Sequence, residues 1–587
     1  MAIAKGLQEA GTAVVAGYPG TPSSEIIESL ASLKESRPMH IEWSVNEKVA
    51  LEIAIGASWA GSRAAVTMKH VGLNVAADPF MTLAYLGVGG GLAIVVADDP
   101  FCHSSQNEQD SRRYAQFAAI PCLDPGNPGE AKEMAKYAFF LSEQLNVPVM
   151  LRPTTRVSHA RSDVAVDSPG KIYIGSGFVK NPPRRVALPS NVRPLHVELL
   201  DKQKQIEEEL EKTPWNRLAL SGDHGVIASG ISALYAEEAI RDLELDLSFL
   251  KIGTLPASSE LLRQMVEHVS KVLVVEELDP VVEEQVEKAA RIYNPELEIL
   301  GKESGHIPRY GELDILTVRN AIASMEKMAQ RERPSLEAAR KILPPRPPGL
   351  CPGCSHRATY YAMRKAFGKK AIFPSDIGCY TMAVPMGTVD TCLCMGASIS
   401  VASGIRFGGE EKGICCSLGD STFLHGGMTG LLNAVYNQAR ITVAILDNST
   451  TAMTGHQPHP GTGITASGER TKSASLEAIC RALGAGFVEA VDPYDLDLAI
   501  ETFQRAKEYE GLSVVIAKQD CVITARRHGR RAKAFQVNDN CVGCRSCIDF
   551  GCPAIEMEKE AASISSLCTG CGVCAKICPS SAIEVME

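Results

Sequence analysis

The chain has 587 residues, 45% of them hydrophobic and 22% charged, with a formal net charge of −10. Such a length exceeds a single hydrophobic core and predicts three or four domains, while the negative balance speaks against bulk nucleic-acid binding, which needs a basic face. The most apolar stretch, LGVGGGLAIVVA at 86–97, is too short and too glycine-rich to cross a bilayer, and the opening residues lack the basic start and apolar core of a secretory signal.

The first segment, 1–164, alternates strand-like and helix-like runs: TAVVAG (12–17) as a strand, PSSEIIESLASLK (22–34) as a helix, then NEKVALEIAIGASWA (46–60), a helix capped by Asn46. AAVTM, LAIVVA and VPVML supply further strands. Strands alternating with helices predict a parallel sheet with helices on both faces. A second segment, 165–330, repeats the alternation with RLALSG, SFLKIG and KVLVVEE as strands. Charge and prolines in 331–350 mark a stiff connector. A third α/β segment, 351–533, has IFPSDIG, GICCSLGD, ITVAILDN and LSVVIAKQD as strands, and its last residues, RRHGRRAK, read as a solvated basic hinge. The fold class is α/β: three doubly wound domains, then a small C-terminal module at 534–587.

That module holds eight of the nineteen cysteines, as CVGCRSCIDFGCP (541–553) and CTGCGVCAKICP (568–579). Each C-x2-C-x2-C loop offers three thiolates to a 4Fe–4S cluster, and the distant C-P cysteine serves the other cluster. One set is therefore Cys541, Cys544, Cys547 and Cys578; the other is Cys568, Cys571, Cys574 and Cys552. Four residues separate Cys547 from Cys552 where three is usual. Zinc is the rival, but two triplet-plus-CP runs without histidine do not suit it. With the remaining cysteines scattered, the pattern reads as reduced, cytoplasmic and oxygen-poor.

In LGDSTFLHGGMTGLLNAVYNQARITVAILDNST (418–450), strand, helix and strand place Asp420 and Asn448 at the carboxyl ends of parallel strands, where ligands of open α/β sheets bind. Asp420, Asn448 and a carbonyl near Thr450 supply oxygens for Mg²⁺, which is usually shared with phosphate groups. The pairing resembles the thiamine-diphosphate motif, with Gly419 and Asp420 in place and Ser421 as its variant third position. Thiamine also needs a carboxyl against ring nitrogen N1′, and Glu47 is the candidate. The competing reading of Glu47 is an acidic residue in the first turn after the Asn46 cap.

GYPGTPSSEI (17–26), NEKVALEIA (46–54), HSSQNEQDSR (103–112), LCPGCSHR (350–357), SDIGCYT (375–381), GDSTFLHGG (419–427), DNSTTAMTGHQPHPGTG (447–463) and the two cysteine runs together resemble the alpha subunits of indolepyruvate ferredoxin oxidoreductases, over essentially the whole chain. The resemblance implies a pyrimidine-binding domain at 1–164, a transketolase C-terminal-like domain at 165–330 and a diphosphate-binding domain at 351–533. It implies oxidative decarboxylation of an arylpyruvate with coenzyme A, using thiamine diphosphate, Mg²⁺ and two 4Fe–4S clusters, with electrons passing to ferredoxin. It also implies a separate, smaller beta subunit, in a heterodimer or an α2β2 assembly. Thr21 and Arg112, by similarity to related pyruvate enzymes, are candidates to hold the substrate carboxylate, and His103 is counted with them. Cys351, Cys354, His356 and Cys379 are implied near the cofactor; His425, His456 and His459 are expected at its border. Two departures stand out: Ser355 replaces a proline of the family loop, and the chain opens inside AIAKGLQEAG, where the family has further residues, which would leave that helix uncapped. Rival readings are the same chemistry on phenylglyoxylate, pyruvate or branched-chain 2-oxoacids, a non-redox thiamine decarboxylase, and an electron-transfer hub with a vestigial thiamine site.

Overall fold

The runs Ala64–Lys69 and Leu92–Ala97 are buried at every position, as strands are when helices cover both faces of a parallel sheet. They form the centre of the first sheet in a computed structural model that describes residues 1–33, 39–344, 348–530 and 532–586. The chain divides into two units, Met1–Lys341 and Ile342–Glu587.

The first unit contains two sheets. In one, Cys122–Leu123, Val149–Leu151, Leu92–Ala97, Ala64–Lys69, Val14–Gly17 and His40–Trp43 lie side by side, all parallel. The other runs Glu298–Leu300, Lys271–Val275, His224–Ser229 and Ser248–Ile252 in parallel, with Arg217–Ala219 antiparallel at its edge. The two sheets are not independent. Thr254–Leu255 leaves the second segment to pair antiparallel with Cys122–Leu123 of the first, a link too short to register as a strand in the sequence.

Arg112 makes the second link and corrects an expectation. Its side chain is wholly buried and donates to Asp110, to Ser229 and Glu276, and to the carbonyls of Glu277 and Asp279. A guanidinium has five N–H donors, and here they are taken by the chain itself, so Arg112 has none to offer a substrate carboxylate. It is a hub between the two sheets. Burial works against the charge on Asp110, but Arg112 and Arg152 outweigh it and hold that carboxyl down at about 2. At Glu276 burial wins over Arg112 and the shift is upward.

In the second unit, Cys415–Gly419, Thr442–Asp447, Ser513–Lys518 and Phe487–Val491 form a parallel sheet in that order. IFPSDIG contributes much less strand than expected. Pro374–Ser375 pairs with Thr391–Cys392 and Ile372 makes an isolated parallel bridge to Ile414; Pro374 has no N–H to extend the pairing, and the chain turns away at Asp376. Asp376 is fully buried and accepts N–H bonds from Ile377, Gly396 and Ser398. The described residues of the basic hinge are exposed, as expected. Arg526 and Arg527 close the helix Val522–Arg527, and Arg530 pairs with Asp520; Arg531 lies outside the described residues. The connector includes a helix, Glu337–Ile342, and residues 345–347 of its proline run lie outside the description.

The cysteine module is built from the hairpin Ile555–Glu558/Ala561–Ile564 and the antiparallel pair Phe535–Val537/Ile583–Val585. The longer spacer between Cys547 and Cys552 turns through Gly551 at φ 72°, a conformation that glycine adopts without strain.

Arg112→Met is expected to destabilise the first unit by ~3–5 kcal/mol, since it leaves two buried carboxylates without their cation. Arg113→Ala, which removes an exposed pair with Glu284, should cost less than ~1 kcal/mol. The shift of that unit's urea midpoint reads both.

Candidate active site

Gly419 pairs with Leu446 across two parallel strands, so Asp420 and Asn448 leave the sheet beside each other at its carboxyl edge. The helix expected to follow the strand begins at Asp420 itself, and a π-helical turn, Phe423–Gly427, precedes its regular part, Met428–Tyr436. Such turns are frequent where a helix must aim side chains at a site. Glycine at 419 is required by packing: a Cβ there would lie 2.8 Å from the ring of Tyr380. Tyr380 donates to the Ile377 carbonyl (2.7 Å) and shares a hydrogen bond with the Thr422 hydroxyl.

Asp420 is buried. One carboxylate oxygen accepts the Ser421 N–H, and the other accepts from His459 Nε2 at 3.1 Å. The Gly461 N–H donates to Nδ1 of His459, which leaves the Nε2 proton directed at Asp420. Burial opposes the charge on Asp420, yet His459 and the N–H prevail and lower its pKa. Beside it, burial and then the Asp420 charge push Asp447 up to about 6. Asn448 accepts the Thr450 N–H at its amide oxygen and donates from Nδ2 to His356 Nε2 at 3.2 Å. Burial pushes His356 down to about 4, so the ring is a neutral acceptor at physiological pH. The Thr451 hydroxyl donates to that of Ser421 at 3.0 Å, and Thr450 is buried beside them. Hard oxygen donors thus converge where two carboxylates crowd one another, an arrangement relieved by a divalent cation shared with phosphate oxygens. The residues fit Mg²⁺ and a diphosphate.

Of the bordering histidines, His459 belongs to this cluster. His456 sits at a left-handed φ of 71° against the Thr524 hydroxyl, and His425 lies buried in the π-helical turn. Cys354 caps the helix Ser355–Phe367, and burial pushes its thiol up to about 12. Cys379 is raised to the same level by burial and then by Cys354, Cys521 and Cys351. Cys521, whose N–H donates to the Asn448 carbonyl at 3.0 Å, was not singled out from the sequence. An isolated cysteine in a helix-leading loop carries no spacing signal.

The cysteine runs come together in the crossed sets read from their spacing. Cys541, Cys544, Cys547 and Cys578 line one cavity, with Val537, Met557, Ala562 and Ile583 as its apolar wall. Burial raises Cys574 to about 12, reinforced by Cys571, Cys552 and Cys568, the other thiols of the second set. Apolar cages of four thiols fit 4Fe–4S groups.

In the first unit, Asn46 accepts the Val49 N–H at 2.9 Å and caps the helix Glu47–Trp59. Glu47 stands in the first turn of that helix, as its competing reading had it, and it is also 5% exposed. Its carboxyl lies on the backbone of Gly72, where a Cβ would stand 2.5 Å from Oε1. A buried carboxyl held by a glycine floor fits the partner that thiamine's N1′ needs. Thr21 follows the carboxyl end of Val14–Gly17, and its carbonyl accepts from the Ser104 hydroxyl. His103 is exposed and faces Glu312 at 3.4 Å, a surface pairing rather than a pocket.

Family descriptions match three stretches: pyruvate flavodoxin/ferredoxin oxidoreductase, thiamine-diphosphate-binding, at 5–195; thiamine pyrophosphate enzyme, C-terminal TPP-binding domain, at 376–517; and a 4Fe-4S binding domain at 563–584. Together they define a thiamine-dependent oxidoreductase with an iron–sulfur module. Indolepyruvate oxidoreductase subunit IorA of Thermococcus kodakarensis is 45% identical over 627 residues, covering 100% of this chain and 96% of that one. IorA of Archaeoglobus fulgidus is 44% identical over 604 residues, covering 99% and 96%. The chain belongs to the IorA family of indolepyruvate oxidoreductase subunits. Among solved structures, a 2-oxoglutarate:ferredoxin oxidoreductase from Magnetococcus marinus is 15% identical, covering 55% of this chain and 64% of that one at a TM-score of 0.42. Among the described residues no helix is long and apolar enough to cross a membrane.

Gly72→Ala is expected to lower turnover at least ~100-fold by displacing the Glu47 carboxyl, while the visible absorption of the iron–sulfur groups stays unchanged.

Proposed function

We propose that this chain catalyses the oxidative decarboxylation of arylpyruvates, indolepyruvate and similar acids, with coenzyme A. In balance, one 2-oxoacid anion and one thiol give the aryl-acetyl thioester, carbon dioxide, a proton and two electrons. The electrons leave singly through two 4Fe–4S clusters to ferredoxin. The names of the full-length relatives, indolepyruvate oxidoreductase subunits, support the substrate class. The observation that carries the chemistry is that the second unit joins the oxygen cradle of Asp420 and Asn448 to the eight-cysteine module in one body.

Thiamine diphosphate, when bound, supplies the carbon nucleophile and the electron sink that decarboxylation of a 2-oxoacid requires. The chain's own residues do the rest. Asp420, Asn448 and Thr450 hold Mg²⁺ against the diphosphate, with Gly419 and Ser421 forming the turn. His459 keeps Asp420 ionised and aimed, and His356 fixes the orientation of the Asn448 amide. Glu47 holds a proton at N1′ of the pyrimidine and so activates the ring. Cys351, Cys354 and Cys379 line the cofactor's side of the route to the cysteine module. One cluster takes Cys568, Cys571, Cys574 and Cys552; the other takes Cys541, Cys544, Cys547 and Cys578. A smaller beta subunit completes the enzyme.

Anaerobic assay of the chain with that subunit, thiamine diphosphate, coenzyme A and a viologen tests the reading. Viologen reduction with indolepyruvate or phenylpyruvate, dependent on coenzyme A and on thiamine diphosphate, is expected. Reduction confined to pyruvate or branched-chain acids overturns the substrate class, and carbon dioxide release without viologen reduction overturns the redox reading. Glu47→Gln should abolish turnover and spare the cluster absorption.

A further inference from the structure

Lys69 is a buried cation of the first unit that has no part in the chemistry proposed above. It ends the strand Ala64–Lys69, at the same sheet edge as Gly17 and Ala97. The residue is 9% exposed, and the aliphatic chain lies on Gly20, where a Cβ would stand 3.1 Å from its Cγ and Cδ. Among the described residues its ammonium makes one hydrogen bond, to the Ser104 carbonyl at 2.9 Å. An ammonium has three N–H donors, so two remain unspent in a place where an unpaired charge is costly.

The surroundings explain how it is kept there. Asp99 and Glu47 are the carboxylates that act on it, with Cys102 and His70 as the other titratable neighbours. Asp99 does not take up its donors: that carboxylate is occupied by the Ser104 N–H and the hydroxyls of Ser105 and Thr155. Those bonds brace a loop in which Phe101 and Cys102 both have positive φ, 70° and 51°, and which carries the Ser104 carbonyl. The loop reaches back to Thr21 through the Ser104 hydroxyl. The carboxyl of Glu47 acts on the same ammonium from its seat on Gly72. Charged at rest, braced and with open donors, Lys69 stands beside the carboxyl assigned to N1′, while Arg112 is consumed elsewhere.

We propose that Lys69 receives the carboxylate of the 2-oxoacid substrate. The proposal deepens the arylpyruvate reading and rests on it for the identity of the acid. Burial pulls the pKa of Lys69 down to about 8, against the pull of Asp99, Glu47 and Cys102. The ammonium, and with it anion binding, is therefore present below that pH and lost as pH rises through it.

The test uses the enzyme with its small subunit, thiamine diphosphate and Mg²⁺, and the inert probe indole-3-propionate, which keeps a carboxylate but has no 2-oxo group. Lys69→Met should weaken binding of this probe about 30-fold or more, leave affinity for the neutral indole-3-propionamide and for thiamine diphosphate intact, and raise KM far more than it lowers kcat. In the wild type kcat/KM should fall above pH about 8, and Lys69→Arg should restore binding and carry the fall to higher pH. Unchanged binding of the carboxylate in Lys69→Met, or a defect that falls chiefly on thiamine diphosphate, overturns the proposal and leaves the arylpyruvate reading standing. Should turnover be confined to pyruvate, that reading fails on its own; propionate then replaces the probe, and the same outcomes decide the role of Lys69.

Discussion

The seat of the cysteine module on the loop 350–357 is the contact on which the rest of the second unit depends. Gly353 approaches Thr569 so closely that a Cβ would fall 1.8 Å from its hydroxyl oxygen; the backbone there is at φ 66°. Arg357 donates across the junction to the Gly551 carbonyl and back to that of Leu350, with Phe550 under its guanidinium. Tyr494 donates to the Gly353 carbonyl, and Lys576 pairs with Asp495. Two residues beyond the Cys354 cap the same helix carries His356, the partner of Asn448. A single loop thus touches the set of Cys568, Cys571, Cys574 and Cys552 on one side and the oxygen cradle on the other. On the proposed function electrons pass between those two places, and the buried side chains packed there would keep solvent from the route.

The first unit solves a different problem with charge. Arg112, Asp110, Glu276, Asp98, Arg152 and Asp124 form a buried ionic core. A core of this kind gives little net stability against an apolar one, yet losing a member is expensive. Its value lies in geometry: a guanidinium satisfied only when both sheets are in place sets their register. Lys69 is the opposite case, a buried charge with one donor spent on the Ser104 carbonyl and two left open among the described residues.

Much of this was legible in the sequence where chemistry imposes spacing. Cysteine triplets, the GDS…DN interval and Asn46 before an amphipathic run each encode a local geometry, and the α/β class followed from apolar runs that are buried on both faces. Residues whose roles depend on long-range approach were opaque. Arg112 reads as a ligand for a carboxylate because nothing in HSSQNEQDSR reveals that Glu276, far along the chain, will claim it. His459 looks like any loop histidine until folding brings it to Asp420. Pro374 shortened a strand that its neighbours favoured, and the π-helical turn after Asp420 has no pattern distinct from a helix start. Glycine was the more informative residue in retrospect: Gly72, Gly353 and Gly419 each mark a place where another group comes too near for a side chain.

The central claim is that the chain which decarboxylates the 2-oxoacid also receives its electrons. Rapid-freeze electron paramagnetic resonance of the oxidised enzyme, mixed anaerobically with indolepyruvate and coenzyme A and no external acceptor, tests it directly. The account predicts that the signal of reduced 4Fe–4S clusters grows in as carbon dioxide is released within one turnover, and contradiction would be a full turnover of carbon dioxide with the clusters still oxidised.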